Sequence, residues 1–237
     1  MTMPLFNDFF PPHVIAFTGD RSVDFTLHNG RETLTQQQLD YLSSSLNMDV
    51  SEPARVRQVH GDKIIMAAEG AGEPVPEADG LLTQQVRLPL AIRTADCVPV
   101  FLYDAKQEGI GLVHAGWRGA QKNIVKSAVT LMQRQWHTQP KNIMALLGPA
   151  IRSCCYEVGG EFRGYFPQEV GERGGQYFLD LPRVLLHQLA ALGVADEHIR
   201  DCGICTCCEE RCFSYRREGA QAGRMISLIA LKSKGES

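Results

Sequence analysis

The sequence has no apolar run near the roughly 20 residues that a membrane-spanning helix needs. Its opening stretch, MTMPLFNDFFPPHVIAF, has no basic region and is broken by Pro11 and Pro12. Neither a membrane helix nor a secretory leader is therefore expected, and a cytoplasmic location is. Excess charge is also missing: 24 Lys and Arg stand against 27 Asp and Glu, for a formal net charge of −3. No broad basic surface follows from that balance, so neither a nucleic acid polymer nor a membrane is an expected partner. There is no internal repeat, no low-complexity block and no clear linker. Histidine is scarce: seven residues are thin provision for a centre built from several histidine clusters.

What is present is globular in character. The chain has 237 residues, 44% hydrophobic and 22% charged, enough to bury a proper core. HVIAFTG reads as a strand. ETLTQQQLDYLSSSLNM reads as a helix, with Leu34, Leu39, Leu42 and Leu46 near helical spacing and Thr33 or Thr35 as cap. ARVRQVHGDKIIMA alternates as a strand, a turn at Gly61-Asp62 and a second strand. PLAIRTADCVPVFLYDA reads as two strands with a bend around Asp96–Pro99, and GIGLVHAGWRGA as a strand entering a glycine-rich turn. KNIVKSAVTLMQRQW is helical in period, with its N-terminus beside Gly116 to Gly119, NIMALLGPAI is a short strand, and FLDLPRVLLHQLAALGV is a second helix stopped by Gly193. MISLIAL closes the pattern as a strand. Interleaved strands and helices predict an α/β (α+β) class, with residues 1–237 as a single layered domain.

Three residues stand apart from generic packing. His60 ends an alternating segment before a glycine turn; Cys97 follows Asp96 where the chain bends; His114 is followed by the small Ala115 and Gly116. Imidazole and thiolate are preferred zinc donors, and three protein ligands leave an open position at which bound water becomes acidic. Thiolate also suits copper. Spacing alone leaves open that the histidines are hydrogen-bonded loop residues and Cys97 a buried small hydrophobe. Cys202, Cys205, Cys208 and Cys212 could form a separate structural zinc site, while the adjacent Cys154 and Cys155 look unsuited to sharing an ion. Arg118, Arg216 and Arg217, with Arg224, lie among small residues and suit anion binding, phosphate above all; a solvated charged turn is the alternative.

QVHG, TADCVPV, VHAGWRG, LGPAI…CCYEVG, CT and FSYRR…GRM, in that order from about Val56 to about Leu228, resemble the YfiH or laccase-domain family. The resemblance implies two mixed β-sheets flanked by helices, a layering shared with a bacterial toxin catalytic domain. It implies His60, Cys97 and His114 as ligands of Zn2+, with Cu2+ as the alternative. It implies purine nucleosides and phosphate as partners: phosphorolysis of adenosine, inosine, guanosine and methylthioadenosine, and deamination of adenosine. On that basis Arg216 and Asp96 are the expected catalytic residues, with Arg118 and Arg217 contacting phosphate. A monomer or small homo-oligomer is expected. Copper-dependent phenol oxidation, a cysteine hydrolase with Cys97 as nucleophile, peptidoglycan editing and a non-enzymatic metal-binding role remain alternatives. The segment FTGDRSVDFTLHNG departs from the family pattern; if it shapes the nucleoside pocket, an altered substrate preference or low activity is expected.

Overall fold

The computed structural model describes residues 6, 8–26, 33–46, 52–68 and 75–233. Strand β1 (Val14–Thr18) comes first, then helix α1 (Gln36–Leu46). The start of α1 is a capping box: the Thr35 hydroxyl accepts from the Gln38 amide (3.3 Å) and the Gln38 side chain accepts from the Thr35 amide (2.8 Å). Strands β2 (Ile64–Met66), β3 (Gly80–Thr83), β4 (Leu90–Thr94), β5 (Val98–Asp104) and β6 (Gly109–Ala115) follow. Helices α2 (Trp117–Gln121) and α3 (Ile124–Trp136) lead to β7 (Ile143–Leu147). Then come β8 (Glu157–Val158), α4 (Phe162–Tyr165), β9 (Val170–Arg173), β10 (Gln176–Leu179) and α5 (Leu181–Ala191). The last elements are β11 (Ile199–Asp201), α6 (Tyr215–Glu218) and β12 (Met225–Leu231).

Side-chain alternation explains how these elements stack. The six-stranded sheet runs β11-β7-β5-β6-β3-β2, parallel at its two outer pairs and antiparallel within. Val98, Val100 and Leu102 of β5 face α3 and α5, whereas Phe101 and Tyr103 face the three-stranded antiparallel sheet β1-β12-β4. That second sheet repeats the pattern: Ile229 and Leu231 face the larger sheet, while Ile226, Leu228 and Ala230 pack on α1. The layers are therefore helix, six-stranded sheet, three-stranded sheet, helix. Strands covered on both faces carry no polar alternation, which is why VPVFLYD and MISLIAL read as continuous apolar runs. Trp136 of α3 packs against β6 at Gly109, where a Cβ would stand 2.3 Å from the indole.

The expected class holds, with differences in detail. Among the described residues there are three sheets, and only the largest is mixed; the third, β8-β10-β9, is a small antiparallel one. The segment before His60 is not a regular strand. It makes two isolated bridges, Ala54 to Leu90 and Arg57 to Glu77, because it crosses between neighbours instead of running along one. Gly119 is helical: WRGAQ forms the short α2, and Asn123, in the left-handed conformation, separates it from α3. The C-terminal end of the departing N-terminal segment, and Glu32, Asn47 and Met48 of the α1 prediction, lie outside the described residues. No helix among the described residues is long and apolar enough to cross a membrane.

Candidate metal centre

The ends of neighbouring strands build the site. Antiparallel pairing of β5 with β6 sets Val98 opposite Ala115 and Pro99 opposite His114, so Cys97, one residue before β5, arrives beside the end of β6. β3 lies on the other flank of β6, and Asp79, just before β3, accepts from the His114 amide through its carbonyl (2.7 Å). His60 comes from the loop ahead of β2, which runs parallel to β3. The ligand atoms of His60, Cys97 and His114 all lie within 4.8 Å of one another. The two imidazoles meet edge to face, centroids 4.9 Å apart at 79°. His114 is buried, Cys97 partly buried and His60 exposed.

Asp79 organises this cluster, and sequence reasoning missed it. The residue is fully buried. One carboxylate oxygen accepts from His114 Nδ1 (2.8 Å) and the His60 amide (2.9 Å). The other accepts from the amides of Val59 (3.2 Å) and Gly61 (2.7 Å). This carboxylate fixes the His114 tautomer, leaving Nε2 as the ligand nitrogen, and holds His60 with its backbone in the left-handed region, φ 57°. Burial alone would raise the Asp79 carboxyl, but the His114 hydrogen bond and the loop amides hold it below the ordinary value. Burial would likewise raise the Cys97 thiol, yet the charge and hydrogen bond of His114, then those of His60, bring it down to about 6. Burial opposes a charged His114, but Cys97 and Asp79 raise it to about 9. A partly buried thiolate and two imidazoles form a donor set fit for zinc or copper. Gly116 keeps the space open: a Cβ there would sit 3.1 Å from Cys97 Sγ and 3.3 Å from His60 Cδ2.

The three ligands lie in a cavity of about 620 Å³. Arg118 and Arg216 line it with Trp117, Tyr156 and Tyr215, and so does Asp96. The Arg118 guanidinium lies over the Trp117 ring, 4.4 Å from its centroid. Arg216 donates to the carbonyls of Cys155 (3.0 Å) and Glu157 (2.8 Å) and lies 5.3 Å from the Tyr156 ring centroid. Asp96, at φ 90°, accepts from the Thr206 hydroxyl (2.6 Å) and from the Arg216 amide (2.7 Å), in the first turn of α6. Arg217 is not among the lining residues; its guanidinium donates to the carbonyls of Thr206 (2.9 Å), Cys207 (3.0 Å) and Cys212. Thr26, Arg93 and Arg224 also line the cavity, so the atypical N-terminal segment does reach it.

The other cysteines group differently from their sequence spacing. Cys154, Cys155, Cys205 and Cys208 come together, while Cys212 packs with Phe213 and Met225, and Cys202 against the core between the two larger sheets. The expected pairing of Cys202 and Cys212 with this cluster is thereby overturned, as is the exclusion of adjacent Cys154 and Cys155. In a strand, neighbours would point to opposite faces. Here a turn closed by Cys155 and Tyr156 amides on the Arg152 carbonyl (both 2.8 Å) brings both sulfurs to the same side.

Comparison with known proteins agrees with the motifs. Residues 21–232 match the family model described as multi-copper polyphenol oxidoreductase laccase. The purine nucleoside phosphorylase of Aquifex aeolicus is 34% identical over 174 residues, covering 73% of this chain and 81% of that protein. Purine nucleoside phosphorylase YlmD of Geobacillus stearothermophilus is 37% identical over 195 residues, 75% of this chain and 71% of the relative. The crystal structure of Bacillus licheniformis hypothetical protein YfiH superposes with a TM-score of 0.84 at 29% identity, over 98% of this chain and 97% of that one. YlmD from Geobacillus stearothermophilus gives a TM-score of 0.81 at 29% identity over 94% of both chains. With the family model spanning most of the sequence and the same layers recurring in solved relatives, the chain belongs to the multi-copper polyphenol oxidoreductase laccase family, among whose relatives are proteins named purine nucleoside phosphorylase.

Proposed function

We propose that the protein is a zinc-dependent purine nucleoside phosphorylase acting on adenosine, inosine, guanosine and methylthioadenosine, with adenosine deaminase activity, working in the cytoplasm as a single 1–237 domain. The observation that carries this is the convergence of His60, Cys97 and His114 in a cavity that also holds Arg118, Arg216 and aromatic faces. The relatives named purine nucleoside phosphorylase support it. When bound by the three ligands, zinc would supply Lewis acidity and activation of water in the cavity.

The chain's own residues do the rest. Trp117, Tyr156 and Tyr215 offer flat surfaces to a purine. Arg216 uses two of its five N–H donors on carbonyls and turns the remainder to phosphate, with Arg118 as second anion contact. Together they hold phosphate against C1′ of the ribose, the carbon that exchanges its base for a phosphate oxygen, and offset charge as the bond to the base breaks. Asp96 fixes Arg216 through its amide, and each of its carboxylate oxygens, accepting one hydrogen bond, keeps a lone pair for a proton-transfer role. Arg217 acts at one remove, holding the loop that carries Thr206.

Two other activities have an observation behind them. Cys97, His114 and Asp79 are linked as thiol, imidazole and carboxylate, the order of a cysteine hydrolase. The family's name refers to copper and polyphenols, but among the described residues only one ligand cluster contains histidine, too few for a multinuclear copper centre. One experiment separates the three. Phosphate-dependent release of hypoxanthine from inosine, and ammonia from adenosine, are measured on wild type and on His60→Ala, Cys97→Ala and His114→Ala. Loss on chelation and recovery with zinc is expected. Turnover that survives chelation with a covalent adduct on Cys97 would favour the hydrolase, oxygen uptake with phenols the oxidase, and no turnover of any purine nucleoside overturns the proposal.

A further inference from the structure

We propose that Cys154, Cys155, Cys205 and Cys208 form a second metal site, in which four thiolates enclose one zinc ion in closed, structural coordination. The sulfurs are grouped for it. Cys154 Sγ lies 3.4 Å from Cys205 Sγ and 3.7 Å from Cys208 Sγ, Cys155 Sγ lies 3.3 Å from Cys208 Sγ, and no pair exceeds 4.8 Å. A tetrahedral zinc tetrathiolate with bonds of about 2.3 Å has sulfur–sulfur edges of about 3.8 Å. All four cysteines are free thiols, and a multi-iron cluster would hold its ligands further apart. Each thiol that binds releases its proton to solvent, so four thiolates and one Zn2+ leave a net charge of −2.

The surroundings suit that charge. Three guanidinium groups hang on the ligand loops: Arg173 on the carbonyls of Ser153 (2.8 Å) and Cys154 (3.3 Å), Arg216 on that of Cys155 (3.0 Å), Arg217 on that of Cys207 (3.0 Å). The main chain delivers the two halves independently of any ion. Parallel pairing of β7 with β11 continues past both strands as Ala150 pairs with Cys205, which sets the 152–155 turn beside the 205–208 turn. Two segments some 50 residues apart are thus brought to one point with four soft donors; Cys154 and Cys208 are exposed. The ion would lock the loop carrying Thr206, the partner of Asp96, to the turn whose carbonyls seat Arg216. That catalytic consequence rests on the phosphorylase proposal, whereas the metal site itself does not.

Cobalt(II) titration of reduced, full-length protein tests the site through thiolate-to-cobalt charge-transfer absorption, whose intensity scales with the number of thiolates. In a Cys97→Ala background, which disables the first site, one equivalent of cobalt with four-thiolate intensity is expected, displaced by one equivalent of zinc. Adding Cys154→Ser and Cys208→Ser should abolish the band, while Cys207→Ser should keep it, with circular dichroism checking the fold of each. Metal analysis of the wild-type background separates the two sites. Two zinc ions falling to one in Cys154→Ser/Cys208→Ser supports both. One ion, lost in Cys154→Ser/Cys208→Ser but kept in His60→Ala, supports this site alone. No cobalt bound by the Cys97→Ala protein, a band that persists without Cys154 and Cys208, or disulfides linking these four cysteines in protein kept reduced would overturn it.

Discussion

Replacing Asp79 with Asn tests the organisation of the metal centre with little change of shape. The carboxylate accepts from four donors, two on each oxygen. An amide keeps one oxygen and turns an NH2 group toward the other pair, so whichever way it rotates two N–H groups face a donor. A buried donor left unpaired costs about 1–3 kcal/mol, so two cost about 2–6 kcal/mol. The Val59 amide makes the longest of the four bonds, at 3.2 Å, and neither Val59 nor Gly61 offers a charged donor. The NH2 should turn that way, and the loss should fall near the lower end, about 2–3 kcal/mol. For a chain of this length that lowers Tm by about 4–12 °C. His114 keeps an acceptor but loses its anionic partner, and removal of such an outer partner weakens metal binding by about 10- to 100-fold. Thermal unfolding of the metal-free proteins gives the first number, and competition with a chromophoric chelator the second. A Tm within about 1 °C of wild type would refute the four-donor account. A lowered Tm with unchanged zinc affinity would refute the orienting role while leaving the structural one.

Other substitutions and pH probe the remaining parts. Gly116→Ala puts a methyl against Cys97 and His60; zinc affinity should fall about tenfold or more, equivalent to about 1.4 kcal/mol, with unfolding little changed. Arg216→Lys removes the fork that bridges two carbonyls, so the KM for phosphate should rise more than the KM for nucleoside; equal effects on both would argue against phosphate at Arg216. In metal-free protein, the thiolate absorbance lost in Cys97→Ser should titrate near pH 6 instead of near 9. The depressed Cys97 thiol adds stability that is fully present above 9.0 and is lost as pH falls through about 6. The raised His114 adds stability that is fully present below 6.5 and is lost as pH rises through about 9. The stability difference between wild type and Cys97→Ser should therefore be greatest between those limits; a difference flat with pH from 5 to 10 would count against a thiolate–imidazolium pair.

Strands that lie between two apolar layers announced themselves as unbroken hydrophobic runs, and α1, α3 and α5 by their period, because burial acts on each segment locally. The three ligands were legible only as members of ordered motifs, since what unites them is strand pairing between β5, β6 and β3. Asp79 was missed for the same reason. EADG looks like a turn, and nothing local says that its carboxylate gathers amides from residues 59–61. The third sheet had a usable signal: Gly174 and Gly175, both at positive φ, form the two-residue turn between β9 and β10. Cysteine spacing misled because it weighs neighbours along the chain, whereas the β7–β11 pairing joins Cys154 and Cys155 to partners some 50 residues away.

The chain's two tryptophans occupy opposite situations. Trp136 is sealed against β6, and Trp117 stands in the cavity wall beneath the Arg118 guanidinium. Intrinsic fluorescence is consequently divided between a silent internal standard and a ligand-sensitive reporter. Occupancy of the cavity can be followed as quenching of the solvent-facing fraction alone, with no dye and no turnover.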